Sequence, residues 1–61
     1  MKITLKAARV NAGLLQKEVA DKLGVSIHTI TNWERGITKP KKHILMVLAS
    51  IYNIDINELK G

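Results

Sequence analysis

Glycine stands at positions 13, 24 and 36, each close behind a stretch whose apolar residues recur at helical spacing. Such glycines act as helix stops, so the chain divides into short helices. Leu5, Ala8, Arg9 and Ala12 fall at i, i+3, i+4 and i+7, which predicts a first helix over about Thr4 to Ala12. Gln16, Val19, Ala20 and Leu23 predict a second helix of only about two turns. Ser26 is a natural N-cap for a third helix from Ile27 to Arg35, in which Ile30, Trp33 and Glu34 share one face. Ile37-Thr38-Lys39-Pro40 reads as a loop into a fourth helix over Lys41 to Tyr52. Asp55-Ile56-Asn57-Glu58 has the form of a capping box opening a brief fifth helix that ends near Lys60. No β-branched alternation bounded by turn signals interrupts this pattern. The expectation is an all-α, compact five-helix bundle, with residues 1–61 forming a single domain.

With 61 residues, folding must offset roughly 1.5 kcal/mol of conformational entropy per ordered residue, so helix packing has to be efficient. The sequence holds 0 cysteines, which excludes a disulfide framework and thiolate metal sites and points to a cytoplasmic protein. No apolar run approaches the ~18 residues of a membrane span, and Met1 to Leu5 has no signal-peptide core, so no membrane partner is expected. Lys and Arg number 10 against 5 Asp and Glu, a net charge of +5 that favours a polyanionic partner. A merely soluble basic protein would have the same composition, so the distribution of charge must decide.

The linker Leu23-Gly24-Val25-Ser26 joins two short helices in the pattern of a helix-turn-helix. Counting from Gln16, a small residue follows at four positions (Ala20), glycine at eight (Gly24), an aliphatic at fourteen (Ile30) and an apolar residue at seventeen (Trp33). Ala20 lets the helices cross closely, Gly24 makes a turn that needs positive φ, and Ile30 and Trp33 anchor the second helix of the pair.

Through Arg9, Gly13-Leu14, Gln16, Ala20, Leu23-Gly24-Val25-Ser26, Ile30, Trp33-Glu34-Arg35-Gly36 and Pro40 the chain resembles the lambda-repressor and Cro-like, or Xre-like, helix-turn-helix family. The resemblance covers nearly the whole chain. It implies a five-helix domain that places its third helix in the DNA major groove, with the N-terminus of the second on a phosphate. It also implies a structural ion pair between Arg9 and Glu34; the alternative, Arg9 on phosphate, carries a smaller weight by the cost of leaving Glu34 uncompensated.

At about 100° per residue, inward-facing Ile30, Trp33 and Glu34 leave His28, Asn32 and Arg35 outward, with Thr29 and Thr31 on the flanks. Asn32 can bond bidentately to adenine, His28 can donate to a guanine or thymine acceptor, and the methyls of Thr29 and Thr31 can meet thymine methyls. The plain alternative is a polar face turned to water. Ile27 has two readings, core packing by its spacing to Ile30 and Glu34, or a thymine-methyl contact. Phosphate contacts should surround this helix, from Gln16 and Lys17 on one side and from Arg35, Thr38, Lys39, Lys41 and Lys42 on the other. A solvated basic loop is the alternative for the second group.

Two positions depart from the family pattern. Leu15 replaces the usual hydroxyl or Asn cap of the second helix, and Lys42 replaces a leucine at the start of the fourth. In that fourth helix Leu45, Leu48, Ala49 and Tyr52 form the inward stripe, while Ile44, Val47 and Ile51 form another about 120° away. Ile44, Val47, Ile51 and Ile56 are therefore candidates for a homodimer interface. A wider internal core and docking on another protein are the competing readings.

No nucleophile is paired with a histidine, the carboxylates Asp21, Asp55 and Glu58 are dispersed, and His28 and His43 lack partners for a metal. No enzyme activity, cofactor or metal is expected. The function expected is sequence-specific binding of double-stranded DNA as a dimer, and repression of transcription by occupancy. The resemblance places it in a bacterial or phage setting, with a protein antagonist open as its regulator. A protein-interaction module of the same fold, using the fourth helix, is the alternative.

Overall fold

The structure, a computed structural model, describes residues 2–60. Four α-helices form: α1 (Leu5–Asn11), α2 (Gln16–Leu23), α3 (Ile27–Arg35) and α4 (Lys42–Ile51). They are followed by a single 3₁₀ turn, Ile56–Glu58. Two short strands, β1 (Ile3–Thr4) and β2 (Leu59–Lys60), pair in parallel with Ile3 opposite Leu59 and Thr4 opposite Lys60.

Local chemistry sets each boundary. The Thr4 hydroxyl accepts from the Ala7 amide at 3.1 Å and the Ser26 hydroxyl from the Thr29 amide at 3.2 Å, so α1 and α3 each begin on a side-chain cap. Leu15, which precedes α2, has no such oxygen; the Glu18 carboxylate instead accepts from the Leu15 amide at 2.8 Å. This is the reciprocal half of a capping box, and it satisfies one donor of the helix start. At the turn between α2 and α3, Gly24 has φ +70°, and the Val25 amide returns to the Ala20 carbonyl at 3.1 Å. A Cβ at Gly24 would meet nothing within 4 Å, so the need for glycine there is conformational and not spatial.

The helices close around Leu5, Ala8, Val19, Ala20, Ile30, Leu48, Ala49, Tyr52 and Leu59, all buried, with Ile30, Leu48 and Val19 the most completely enclosed large side chains. Every helix contributes to this core, and β2 adds Leu59. Three of the four residues expected on the inner stripe of α4 are buried, and the fourth, Leu45, packs at the margin. Ala12, expected on the inner stripe of α1, is exposed at that helix's C-cap.

The expected fifth helix does not form. Asp55 caps as anticipated, but its carboxylate accepts from the Asn57 amide at 2.8 Å, a tight turn that precedes only three 3₁₀ residues. A helix nucleus fixes several residues before its hydrogen bonds accumulate, and five residues cannot recover that cost alone. Extended Leu59 instead buries its side chain and takes its backbone partner from β1. The bundle is therefore four-helical, closed by a strand pair that fastens the two ends of the described chain together.

Candidate nucleic-acid interface

α2 and α3 pack against each other and bury Ala20 and Ile30 in the same core, so the side of α3 opposite Ile30 is the one left outward. Beneath it lies the main polar feature of the interior. Arg9 Nε donates to Glu34 Oε2 at 2.6 Å, and Arg9 Nη2 approaches Glu34 Oε1 at 3.2 Å. Arg9 Nη1 also donates to the Leu14 carbonyl at 2.9 Å, tying the loop after α1 to the same guanidinium. The side chains are only 10% and 4% exposed, so the pair is a desolvated fork binding three segments: α1, the 12–15 loop and α3. Tyr52 packs near it. Burial, with the Glu34 charge adding to it and the Arg9 charge opposing, pushes the Tyr52 phenol up to about 12.

Glu34 also receives a bond from α2. Gln16 Nε2 donates to Glu34 Oε1 at 2.9 Å, and Gln16 Oε1 lies 3.2 Å from the Thr31 hydroxyl. The first residue of α2 is thus held by two residues of α3. The sequence points Gln16 toward a phosphate and Thr31 to the flank of the reading face, without a link between the two. Nothing in their spacing of fifteen announces a contact that depends on the helix crossing.

His28 and Arg35 are exposed, and Thr29, Thr31 and Asn32 are half-buried. Thr29 is partly committed to the helix start, its hydroxyl lying 3.1 Å from that of Ser26. Among the described residues no intramolecular hydrogen bond engages the His28 or Asn32 side chains. Ile27 is 50% exposed, which corrects the core reading for this residue. Val25 packs against the core at the turn, whereas Ile27, in the first turn of α3, takes no part in it.

Of the residues expected near phosphates, Lys17, Arg35, Thr38, Lys39, Lys41 and Lys42 are all exposed, and Gln16 is half-buried. From Leu23 through Ile54 the single acidic residue is Glu34, already neutralised by Arg9, whereas Arg35, Lys39, Lys41 and Lys42 are free in solvent. The positive charge of the α3 end and the segment that follows it is therefore unpaired within that stretch, the nearest exposed acids in the chain being Asp21 on α2 and Asp55 after α4. Lys60 joins this group. A cleft of about 290 Å³ beside the end of α3 is lined by Trp33, Glu34, Arg35, Gly36, Lys39 and Lys60, together with Thr4 and Leu5. By its sequence Lys60 falls at the end of a terminal helix; the β1–β2 pairing, Thr4 opposite Lys60, brings it here.

The α4 residues separate into two groups. Ile44, Ile51 and, from the 3₁₀ turn, Ile56 are half-buried and pack against the core, whereas Val47 is 43% and Met46 is 56% exposed. Among the described residues no group of three or more His, Cys, Asp or Glu is placed to hold a metal, and no helix is long and apolar enough to cross a membrane.

A tight Gly24 turn between α2 and α3, a third helix with an open polar face and an Arg9–Glu34 fork beneath it define a helix-turn-helix protein of the lambda-repressor and Cro type. The helix-turn-helix family profile matches residues 5–59, and the chain belongs to this family. It is similar to the HTH-type transcriptional regulator ImmR of Bacillus subtilis (strain 168), 39% identical over 57 residues covering 93% of this chain and 45% of that protein. It is also similar to the cryptic phage CTXphi transcriptional repressor RstR of Vibrio cholerae, 36% identical over 55 residues, 90% of this chain and 50% of that protein. The chain thus spans about half the length of these relatives. No solved structure matches it significantly.

Proposed function

We propose that this chain binds double-stranded DNA sequence-specifically, with α3 in the major groove, and represses transcription by occupying an operator. The observation that carries the reading is the charge pattern: α3 and the loop behind it present Arg35, Lys39, Lys41 and Lys42 with no exposed acid between Leu23 and Ile54. A duplex is a regular polyanion, and such a surface gains affinity by releasing its counterions. Two relatives named as a transcriptional regulator and a transcriptional repressor support the same class. In this reading Asn32 and His28, with side chains uncommitted inside the protein, bond to base edges, and Ile27 meets a thymine methyl. Thr29, held at the helix start, offers its methyl on the flank. Gln16, Lys17, Arg35, Thr38, Lys39, Lys41 and Lys42 hold phosphates on either side and so set register. Selection of duplexes from a random pool at near-physiological salt tests this. A recovered motif supports sequence-specific readout, and salt-sensitive background binding alone refutes it.

The proposal includes a symmetric dimer on a pseudo-palindromic site with half-sites about one helical turn apart. Support comes from Val47, a large apolar side chain left exposed on α4 between half-buried Ile44 and Ile51 on the same helical stripe, with exposed Met46 extending the apolar character of the helix. The same patch favours the second reading, a protein-interaction module using α4. Val47→Glu separates them: sedimentation of the purified chain should pass from dimer to monomer if α4 joins two copies. A wild type that is monomeric both free and on DNA would contradict the dimer. Ile51 is the poorer probe because it also packs against the core.

A further inference from the structure

We propose that Thr31 acts on DNA through Gln16, as a positioning residue that aims the Gln16 carboxamide at a phosphate, and not by reading a base. The proposal rests on the DNA-binding function above. Gln16 is the first residue of α2, and its carboxamide lies between α2 and α3, touching a different α3 side chain at each end. The orientation of that amide follows from its partners. Glu34 is a carboxylate bound to Arg9 and accepts only, so the nitrogen must face it, at 2.9 Å. The oxygen then faces the Thr31 hydroxyl, 3.2 Å away, which can donate to it. Reversing the amide would set its oxygen against the carboxylate and lose the bond to Glu34.

A primary amide carries two N–H groups, and Glu34 Oε1 takes one. The second stays available at the start of α2, where the first backbone amides are also unpaired and a phosphate oxygen is favoured. The anchor is rigid because it is continuous. From the Leu14 carbonyl through Arg9, Glu34 and Gln16 to Thr31, successive bonds measure 2.9, 2.6, 2.9 and 3.2 Å, with the two carboxylate oxygens of Glu34 serving Arg9 and Gln16. Thr31 closes the chain at its exposed end. Its hydroxyl also lies 3.1 Å from the Ile27 carbonyl, so its one proton has two acceptors inside the protein and is not free for a base acceptor. Without that hydroxyl the amide keeps a single anchor and swings about it.

The test uses the duplex recovered from the random pool, with affinities read by fluorescence anisotropy and base preference by a second selection. Thr31→Val keeps the branched shape and removes the hydroxyl. It should weaken binding about fivefold, the factor carried by one net hydrogen bond, while leaving the selected motif unchanged. Thr31→Ser, which keeps the hydroxyl and drops the methyl, should bind as wild type. In a Gln16→Ala background, Thr31→Val should have no further effect. In the free protein, the Gln16 side-chain amide resonances should move with Thr31→Val and return with Thr31→Ser, a readout independent of DNA. A changed base preference at one position, a loss of affinity in Thr31→Ser, additive effects of Gln16→Ala and Thr31→Val, or unmoved amide resonances would each overturn the proposal while leaving DNA binding intact. A wild type that binds no duplex would overturn the DNA-binding function and this proposal with it.

Discussion

Removing Arg9 alone should be more damaging than removing Arg9 and Glu34 together. In Arg9→Met the Glu34 carboxylate, 4% exposed, loses both guanidinium contacts and keeps only the Gln16 amide as partner. Breaking a buried pair from one side typically costs about 3 to 5 kcal/mol, because a charge is left desolvated and uncompensated. A chain of 61 residues is expected to be stable by about 3 to 9 kcal/mol, scaling per residue, so the variant should lose roughly a third or more of its stability, and all of it at the lower end of that range. The Leu14 carbonyl loses its donor as well, which loosens the 12–15 loop. In Arg9→Met with Glu34→Leu no charge remains, apolar volume fills the site, and stability should return to within about 2 kcal/mol of wild type. Urea denaturation followed by circular dichroism, on the wild type, both single variants and the double, gives the coupling energy directly. Single variants that each cost under about 1 kcal/mol and simply add would refute the reasoning, since that is the behaviour of a solvent-screened surface pair.

Other changes test separate parts of the account. Leu15 is 66% exposed and gives α2 no side-chain cap, so Leu15→Ser should raise stability by about 0.5 to 1 kcal/mol, read as a higher urea midpoint; an unchanged midpoint would show that the Glu18 contact already suffices. Tyr52 keeps its proton to about pH 12 in the folded chain against 10.0 for the free group. Between those values the unfolded chain ionises first, so stability contributed by Tyr52 is intact below pH 10.0 and falls as pH rises toward 12. Tyr52→Phe should flatten that part of the stability–pH curve, and an identical slope in both proteins would contradict the assignment.

Helix positions were legible because a two-sided environment imposes a 3.6-residue period, and glycine and hydroxyl caps mark the ends. Ile30, Leu48 and Val19 are buried where their stripes put them. What sequence reading lacked depends on distance along the chain. The β1–β2 pairing joins Ile3 to Leu59, and no periodicity exists in two-residue strands, so the terminal segment reads as helix until its burial is known. The fate of Ile27 illustrates a different gap. Spacing gives the angle of a side chain about its helix axis, but not whether the core extends far enough along that axis to cover it. Arg9 and Glu34 could be paired through the family pattern, whereas Gln16 and Thr31 meet only because the crossing of α2 and α3 brings both helices to the same carboxylate.

The exposed face of α3 is the centre of the account, and Asn32 is its most direct probe. Wild type and Asn32→Ala should be titrated on the selected duplex and on its single base-pair variants. If Asn32 reads adenine, the substitution should cost about 1 to 3 kcal/mol on the preferred duplex and abolish discrimination at one base-pair position in each half-site, leaving the salt dependence unchanged. Equal affinity of the two proteins for every duplex, or uniform weakening with discrimination intact, would contradict base reading by this face.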